Sequence, residues 1–124
     1  MQVTAIIAEW NPLHRGHLLP VQAARQQGAT HIVAILSGNF VQRGEPALCP
    51  WQYRAAAALS SGVDLVLLLP LPYAVSTAQH FAGGAVASLA ALGAVDSLIF
   101  GSECGELAAL RSVAAALDLS LIHI

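Results

Sequence analysis

Ile6-Ile7-Ala8-Glu9-Trp10-Asn11-Pro12-Leu13-His14-Arg15-Gly16-His17 is the stretch around which the fold is predicted. The apolar run over residues 3–8 predicts a short buried strand that ends before Asn11-Pro12. A helical spacing of apolar residues begins after Gly16. A strand that turns abruptly into a helix leaves the first N–H groups of that helix without partners, and such groups bind anions. The imidazoles of His14 and His17 stand at this predicted anion site.

The composition favours a parallel sheet with both faces covered. The chain has 124 residues, of which 56% are hydrophobic and 10% are charged. Strands that are buried on both faces are continuous apolar runs, which fits this balance. The longest apolar stretch, residues 63–75, contains Asp64, Pro70 and Pro72, so we do not expect it to span a membrane. The N-terminus lacks the basic region of a secretory signal, and we predict a cytoplasmic protein.

The charged residues give the chain little general attraction for a polyanion. Its net charge is −2, and all five of its basic residues are arginines. These residues alone are therefore a poor explanation of any affinity for nucleic acid. Cys49 and Cys104 form no CxxC pair, and we expect both to be reduced structural residues.

Apolar runs alternate with helical patterns along the chain. The predicted strands cover residues 3–8, 31–36, 63–69 and 97–100, and the predicted helices cover residues 16–27, 51–61, 76–92 and 105–117. This alternation predicts right-handed βαβ crossovers, and therefore an α/β, Rossmann-like fold in three layers around a parallel sheet. Residues 120–124 have the pattern of a strand that begins and is cut off. We expect residues 1–124 to form one domain, truncated at its C-terminus.

Ligands of such sheets bind beyond the carboxyl ends of the strands. Most of the unusual polar, proline and glycine residues follow predicted strands: Glu9 to His14, Ser37 to Phe40, Pro70 to Tyr73, and Gly101 to Glu103. Composition alone does not require this coincidence. The sequence therefore predicts a binding site at one edge of the sheet.

The two histidines are predicted to donate hydrogen bonds to the phosphates of ATP. In nucleotidyl transfer, negative charge grows on the α-phosphate and on the departing pyrophosphate, and positioned donors stabilise it. Gly16 fits this role because a side chain there would keep the nucleotide away from the backbone. Two alternatives remain at this point. The histidines are turn residues satisfied by the backbone, or they bind zinc, although zinc histidines on a helix usually lie four residues apart.

The segment from residue 37 to residue 50 has no apolar period, and loops of this length in compact domains are often functional. We expect acceptor or phosphate contacts from this segment, and the residues predicted to make them are Ser37, Gly38, Asn39 and Arg43. A solvated connector is the alternative interpretation.

Three further positions have weaker patterns. Gly101 allows an adenine or ribose to lie against the backbone, but the segment is equally typical of a turn in which Ser102 caps a helix. His80 lies within a predicted helix, where a single histidine is usually a packing or surface residue. Arg54 is expected on the exposed face of its helix, with a position facing the site as the alternative.

Four blocks together resemble one family: residues 8–17, 37–47, 62–66 and 100–103. The family is that of the bacterial tRNA(Met) cytidine acetate ligases, and His14-x-Gly16-His17 resembles the HxGH motif of the HIGH-type nucleotidyltransferases to which it belongs. The block SGNFVQRGEPA, at residues 37–47, is the specific part, because HxGH alone fits many adenylyltransferases. The resemblance covers nearly the whole chain.

The resemblance implies a nucleotidyltransferase-like ATP-binding domain with a two-step reaction. ATP and acetate give acetyladenylate and pyrophosphate, and the acetyl group then passes to N4 of the wobble cytidine of elongator tRNA(Met). It implies catalytic roles for His14 and His17, with Mg²⁺ carried on the triphosphate and no metal ligand in the chain. The residues it implies for ATP binding are Ile7, Ala8, Glu9, Trp10, Asn11, Pro12, Leu13, His14, Arg15, Gly16, His17, Leu18, Leu19, Pro20 and Gly101.

The sequence also departs from the family pattern. Members commonly have Tyr, Phe and Asn where this chain has Trp10, Leu13 and Arg15. They are also considerably longer, so the resemblance implies further ATP contacts, and most of the basic surface for tRNA, beyond Ile124. Two other functions remain open. One is a small-molecule adenylyltransferase of coenzyme biosynthesis, which predicts a second basic motif that is not found here. The other is a non-catalytic nucleotide-binding module.

Overall fold

The computed structural model describes residues 1–99. Several predicted features lie outside the described residues: the fourth helix, the end of the fourth strand, the segment Gly101 to Glu103, Cys104 and residues 120–124. Cys49 is a free, half-buried thiol. Within residues 1–99, no helix combines the length and the apolar character that crossing a bilayer requires.

Strands and helices alternate as the sequence predicts. The elements are β1 (Val3–Ala8), α1 (Leu18–Gln26), β2 (His31–Leu36), α2 (Trp51–Ser60), β3 (Leu65–Leu68), α3 (Leu71–Ala74), α4 (Ala78–Leu92) and β4 (Ser97–Leu98). Short 3-10 turns cover Arg15–His17 and Gln42–Gly44. The four strands are parallel and lie in the order β3-β2-β1-β4. The predicted α/β class is confirmed.

Helices cover both faces of the sheet. On one face, Val21 of α1 and Ala58 of α2 pack in a cluster with Ile32 of β2. On the other face, Phe81 of α4 packs in a second cluster with Val33. Successive residues of a strand point to opposite faces, so β2 contributes to both clusters. This arrangement gives the three predicted layers, and it explains why most residues of the central strands are apolar.

The segment after β3 differs from the sequence prediction. The sequence pattern predicts no regular element between the strand over residues 63–69 and the helix over residues 76–92, yet Leu71–Ala74 forms the single helical turn α3 with proline in its first turn. Proline is compatible with the start of a helix because the first N–H groups have no helical partner. The next helix, α4, begins at Ala78, where the hydroxyl of Thr77 accepts the N–H of His80 at 3.3 Å. His80 is exposed, in agreement with the prediction of a packing or surface residue.

Gly84 allows α3 to pack against α4. A Cβ at this position would overlap the ring of Tyr73. We expect Gly84→Ala to destabilise the domain by about 1–3 kcal/mol through overpacking, although alanine favours a helix interior by up to about 1 kcal/mol. Urea unfolding measures the change. Ala87→Gly, at an exposed position of the same helix, measures the opposing propensity term, and a stabilised Gly84→Ala variant would contradict the packing.

Asp64 and Arg25 close the edge of the sheet where the strands begin. One carboxylate oxygen of Asp64 accepts the N–H of Ile32 at 2.8 Å and the guanidinium of Arg25 at 2.7 Å. The bond from Ile32, followed by the attraction of Arg25, lowers the pKa of Asp64 below its ordinary value of 3.8. Because the folded-state pKa is the lower one, the stabilisation is complete above that ordinary value and is lost as the pH falls through the folded-state pKa.

We therefore expect Asp64→Asn to reduce the free energy of unfolding at neutral pH by about 1 kcal/mol, since a half-exposed ion pair is screened. The difference between variant and parent is expected to shrink as the pH falls below about 3.8, where the parent carboxylate also becomes protonated. Urea unfolding at several pH values tests this. A difference that stays constant down to strongly acidic pH would contradict the assignment.

Candidate active site

The turn from His14 to His17 is held by its own histidines. His14 precedes the 3-10 turn in an extended conformation, and its Nδ1 accepts the N–H of Gly16 at 3.1 Å. Nδ1 of His17 accepts the N–H of His14 at 3.1 Å. The two side chains therefore cap the same turn reciprocally, as Ser and Glu do in a capping box. The reciprocal bonds fix both rings relative to the backbone.

These bonds determine which ring nitrogen carries the proton. A neutral imidazole that accepts at Nδ1 has its hydrogen on Nε2. The two rings are stacked, with centroids 3.6 Å apart. Desolvation, followed by the neighbouring His14, lowers the pKa of His17, which favours its neutral form at neutral pH. The turn thus presents two adjacent Nε2–H donors, a geometry unlike that of two rings converging on one metal ion.

Gly16 is required by the ring of His14. A Cβ on Gly16 would lie 3.0 Å from Cε1 and 3.2 Å from Nδ1 of that ring. From the sequence, glycine is expected at this position for a different reason, namely that a side chain would keep the nucleotide away from the backbone. The structure adds that even a methyl group would press on the hydrogen-bonded imidazole.

Trp10 connects β1 to this turn. It is 5% exposed, and its φ of 47° is in the left-handed region, which is rare for a bulky residue. Its ring centroid lies 6.4 Å from that of His17. Strained backbone of this kind concentrates at functional sites. No sequence pattern predicts a left-handed backbone at this tryptophan.

A cleft of about 950 Å³ opens beyond the carboxyl end of β1. One wall contains most of the residues predicted to bind ATP: Ile7, Ala8, Glu9, Trp10, Asn11, Pro12, His14, Gly16, His17 and Pro20. A second wall comes from the segment after β2, and its residues are Val41, Gln42, Arg43 and Glu45. Four predicted ATP-binding residues are not in the lining: Leu13, Arg15, Leu18 and Leu19. Gly101 lies outside the described residues.

The segment after β2 is tied to the histidine turn. The carboxylate of Glu9 accepts the N–H of Gln42 at 3.0 Å, and the side-chain oxygen of Asn11 accepts the N–H of Leu48 at 2.7 Å. Arg43 lies between these bonds with a φ of 64°. The segment is therefore an ordered wall of the cleft, in contrast to the alternative of a solvated connector.

The other predicted contact residues of this segment do not line the cleft. Ser37 is fully buried, and its hydroxyl has no hydrogen-bond partner within residues 1–99. The side-chain oxygen of Asn39 accepts the N–H of Trp51 at 2.9 Å, at the start of α2. The carbonyl of Gly38 accepts a hydrogen bond from Arg54. Acceptor contacts by these three residues stay a prediction, while Arg43 does line the cleft.

The expectation that Arg54 lies on an exposed helix face is wrong. The residue is 1% exposed, and its guanidinium donates to the backbone carbonyls of Glu9, Gly38 and Cys49. A sequence signal for this burial exists: Arg54 precedes the buried Ala58 by four residues, so the two lie on one face of α2. Its charge argued for the surface, and the backbone carbonyls that accept its donors cannot be read from a residue pattern.

Comparison with known proteins identifies the family. Residues 1–120 match the family model described as HIGH Nucleotidyl Transferase. The chain belongs to the HIGH nucleotidyltransferase family. The superfamily resemblance predicted from His14-x-Gly16-His17 is thereby confirmed.

Curated relatives of this HIGH nucleotidyltransferase chain carry a more specific name. The tRNA(Met) cytidine acetate ligase of Syntrophotalea carbinolica is 52% identical over 119 residues, which are 95% of this chain and 28% of that protein. The protein of the same name from Exiguobacterium sibiricum is 55% identical over 109 residues, 86% of this chain and 28% of its own. The chain thus spans less than a third of the length of these relatives.

Solved structures agree with the fold of the HIGH nucleotidyltransferase domain. A crystal structure of Thermotoga maritima TmcAL bound with alpha-thio ATP superimposes with a TM-score of 0.89 at 44% sequence identity. The match covers 94% of this chain and 29% of the Thermotoga chain. The Rossmann-like, three-layer architecture predicted from the sequence is confirmed.

The cleft of the HIGH nucleotidyltransferase domain suits a polyphosphate. The histidines offer directed Nε2–H donors in the lining of the cleft, and the guanidinium of Arg43 adds positive charge to the same lining. The carboxylate of Glu9 is engaged with the backbone of Gln42. Within residues 1–99, no group of three or more His, Cys, Asp or Glu side chains clusters as a metal site would. The arrangement can stabilise charge that develops on a phosphoryl group.

Proposed function

We propose that this chain is the ATP-binding, acetate-adenylating domain of a tRNA(Met) cytidine acetate ligase. The observation that carries the proposal is the pair of stacked histidines in the cleft, whose Nδ1 atoms hold the turn and leave both Nε2–H groups as donors. The names of the relatives, and the ATP analogue bound to the Thermotoga protein, support the choice of reaction within the family.

In the proposed first step, a carboxylate oxygen of acetate attacks the α-phosphorus of ATP. The bond between the α-phosphorus and the oxygen that bridges to the β-phosphate breaks, and pyrophosphate leaves with the bonding electrons. Nε2–H of His14 and Nε2–H of His17 donate to the phosphate oxygens on which charge accumulates. One such donor is worth about 2.7–4 kcal/mol of barrier, with no covalent intermediate on the enzyme.

The nucleotide is proposed to lie along residues 7–20, with Gly101 as a further contact. Arg43 lines the same cleft and is proposed to contact the phosphates. Mg²⁺ would enter as part of the MgATP substrate, since this ion keeps several waters and binds mainly through substrate phosphates. This fits a cleft wall in which the Glu9 carboxylate is occupied by a backbone N–H.

In the proposed second step, N4 of the wobble cytidine of elongator tRNA(Met) attacks the acetyl carbonyl. The bond from the carbonyl carbon to the AMP oxygen breaks, AMP leaves, and N4 loses a proton. Most tRNA contacts are proposed to lie in parts of the longer protein outside this chain. The support is its net charge of −2 with no lysine, which gives little attraction for a polyanion. The reaction is proposed to take place in the cytoplasm.

ATP–pyrophosphate exchange tests the proposed function. The protein is expressed with all of the chain that its gene encodes, and incorporation of labelled pyrophosphate into ATP is measured with and without acetate. Acetate-dependent exchange is expected. Exchange that requires a phosphorylated metabolite in place of acetate would support a small-molecule adenylyltransferase instead, and nucleotide binding without any exchange would support a non-catalytic module.

A further inference from the structure

Arg54 is a charged side chain in the interior of the domain. It lies in the first part of α2 and is 1% exposed, the largest of the fully buried side chains in the described part of the chain. Its NH1 donates to the carbonyl of Glu9 at 2.7 Å, its NH2 donates to the carbonyl of Gly38, and its Nε donates to the carbonyl of Cys49 at 3.3 Å. Within residues 1–99, each of the three guanidinium nitrogens thus donates to a backbone carbonyl.

The three carbonyls belong to three different segments. Glu9 directly follows β1, Gly38 lies two residues beyond the end of β2, and Cys49 ends the segment that leads into α2. A guanidinium can reach all three because its donors lie in a rigid planar fork, whereas a lysine ammonium is a single point on a flexible stem. Burial is unfavourable for the charge, and desolvation lowers the pKa of Arg54. An apolar side chain in this space would leave the carbonyls of Glu9, Gly38 and Cys49 without these donors, so Arg54 does more than fill the interior.

Arg54 bonds to the backbone just after β1 and just after β2, and each of these two segments continues into one wall of the cleft. Glu9 immediately precedes the left-handed Trp10, and the chain reaches His14 five residues after Glu9. Gly38 belongs to the segment over residues 37–50, which carries Arg43 in the second wall. The Glu9 side chain adds a direct link, because its carboxylate accepts the N–H of Gln42, the neighbour of Arg43. Arg54 therefore bonds to both segments that carry lining residues of the cleft, the one that leads to His14 and the one that leads to Arg43.

We propose that Arg54 is a positioning residue for adenylyl transfer, which fixes the two walls of the cleft at the distance that the phosphates of ATP require. The proposal rests on the proposed function, because it assigns the positioning to the same ATP site. Arg54 does not line the cleft and acts through Glu9 and Gly38.

Arg54→Lys is the informative substitution, since it keeps the charge and most of the volume but loses the planar fork. Arg25→Lys is the matched control. Arg25 also donates to three backbone carbonyls, those of Ala29, Thr30 and Gly62, but at the opposite edge of the sheet. We expect both variants to remain folded with lowered thermal midpoints. Only Arg54→Lys is expected to lower kcat for exchange, by about a hundredfold, because small misplacements of reacting groups cost about that much.

A double-mutant cycle with His17 separates positioning from general stability. ATP affinity is measured by calorimetry with α,β-methylene-ATP, for the parent, Arg54→Lys, His17→Ala and the double variant. If Arg54 acts by placing the histidine turn, its substitution will weaken affinity about tenfold in the parent and much less when His17 is already absent. Equal losses in both backgrounds, or an equal kcat loss in Arg25→Lys, would overturn the proposal.

The double-mutant cycle and the exchange assay fail independently, so the positioning role of Arg54 and the proposed reaction are tested separately. Exchange that does not depend on acetate would remove the proposed reaction, while the coupling in ATP affinity would still report on Arg54. Acetate-dependent exchange in the parent, with full affinity and full kcat in Arg54→Lys, would leave the reaction in place and remove the positioning role.

Discussion

His17→Ala is expected to lower the rate of acetyladenylate formation by at least about a hundredfold while the protein stays folded. The substitution removes one of the two Nε2–H donors proposed to stabilise the departing pyrophosphate. It also frees the N–H of His14, which His17 caps at 3.1 Å. The 3-10 turn is at the surface and contains no buried residue, so the core is not affected. ATP–pyrophosphate exchange measures the rate, and circular dichroism verifies the fold.

A second substitution at the same position separates donation from capping. In His17→Asn, the side-chain oxygen occupies nearly the position of Nδ1 and can accept the N–H of His14, but nothing replaces the donor at Nε2. We expect His17→Asn to lose activity as strongly as His17→Ala. His80→Ala, an exposed histidine on α4, serves as the control and should keep full activity. Undiminished exchange in either folded His17 variant would contradict the donor role.

Gly16→Ala is expected to have the second largest effect, a loss of about tenfold to a hundredfold in kcat. The added methyl group would lie 3.0 Å from Cε1 of His14, which is closer than normal contact, so the ring must rotate or move. We expect this movement to weaken the bond from the N–H of Gly16 to the ring and to disturb the stacking on His17. Steady-state exchange kinetics with varied ATP concentration measure kcat and KM.

The control for Gly16→Ala is a glycine that lies outside the cleft and whose replacement is expected to lower the stability of the domain. Gly28, which follows α1, has a φ of 99°, so alanine there is strained. We expect Gly28→Ala to lower the thermal midpoint and to leave kcat unchanged at a temperature where the variant is folded. If Gly16→Ala loses no more activity than Gly28→Ala, the contact with the His14 ring has no functional importance.

The sequence was sufficient to predict the central strands of the sheet and the position of the site at its edge. The runs over residues 3–8 and 31–36 match β1 and β2 at both ends, because strands buried on two faces have no polar interruptions. The HxGH spacing placed both histidines at the end of β1, where the cleft is found. The prolines at 70 and 72 obscured α3, since the same residue both ends strands and begins helices.

The sequence does not predict which polar side chains of the site form hydrogen bonds with the backbone. Asn39 was expected to contact substrate because it is polar and follows a strand, yet its side chain caps α2. Asn11 similarly satisfies the N–H of Leu48. Long ordered segments leave many backbone groups without regular partners, and nearby polar side chains fill that need before any ligand binds. Which polar residue caps and which one faces the cleft depends on the tertiary path of the chain.

The two histidines are proposed to donate hydrogen bonds to the phosphates of ATP, and a crystal structure of the protein with α,β-methylene-ATP would locate those phosphates. We predict phosphate oxygens at about 2.7–3.2 Å from Nε2 of His14 and from Nε2 of His17, with both Nδ1 atoms still bonded to the turn. A nucleotide whose phosphates lie away from both Nε2 atoms would contradict the claim.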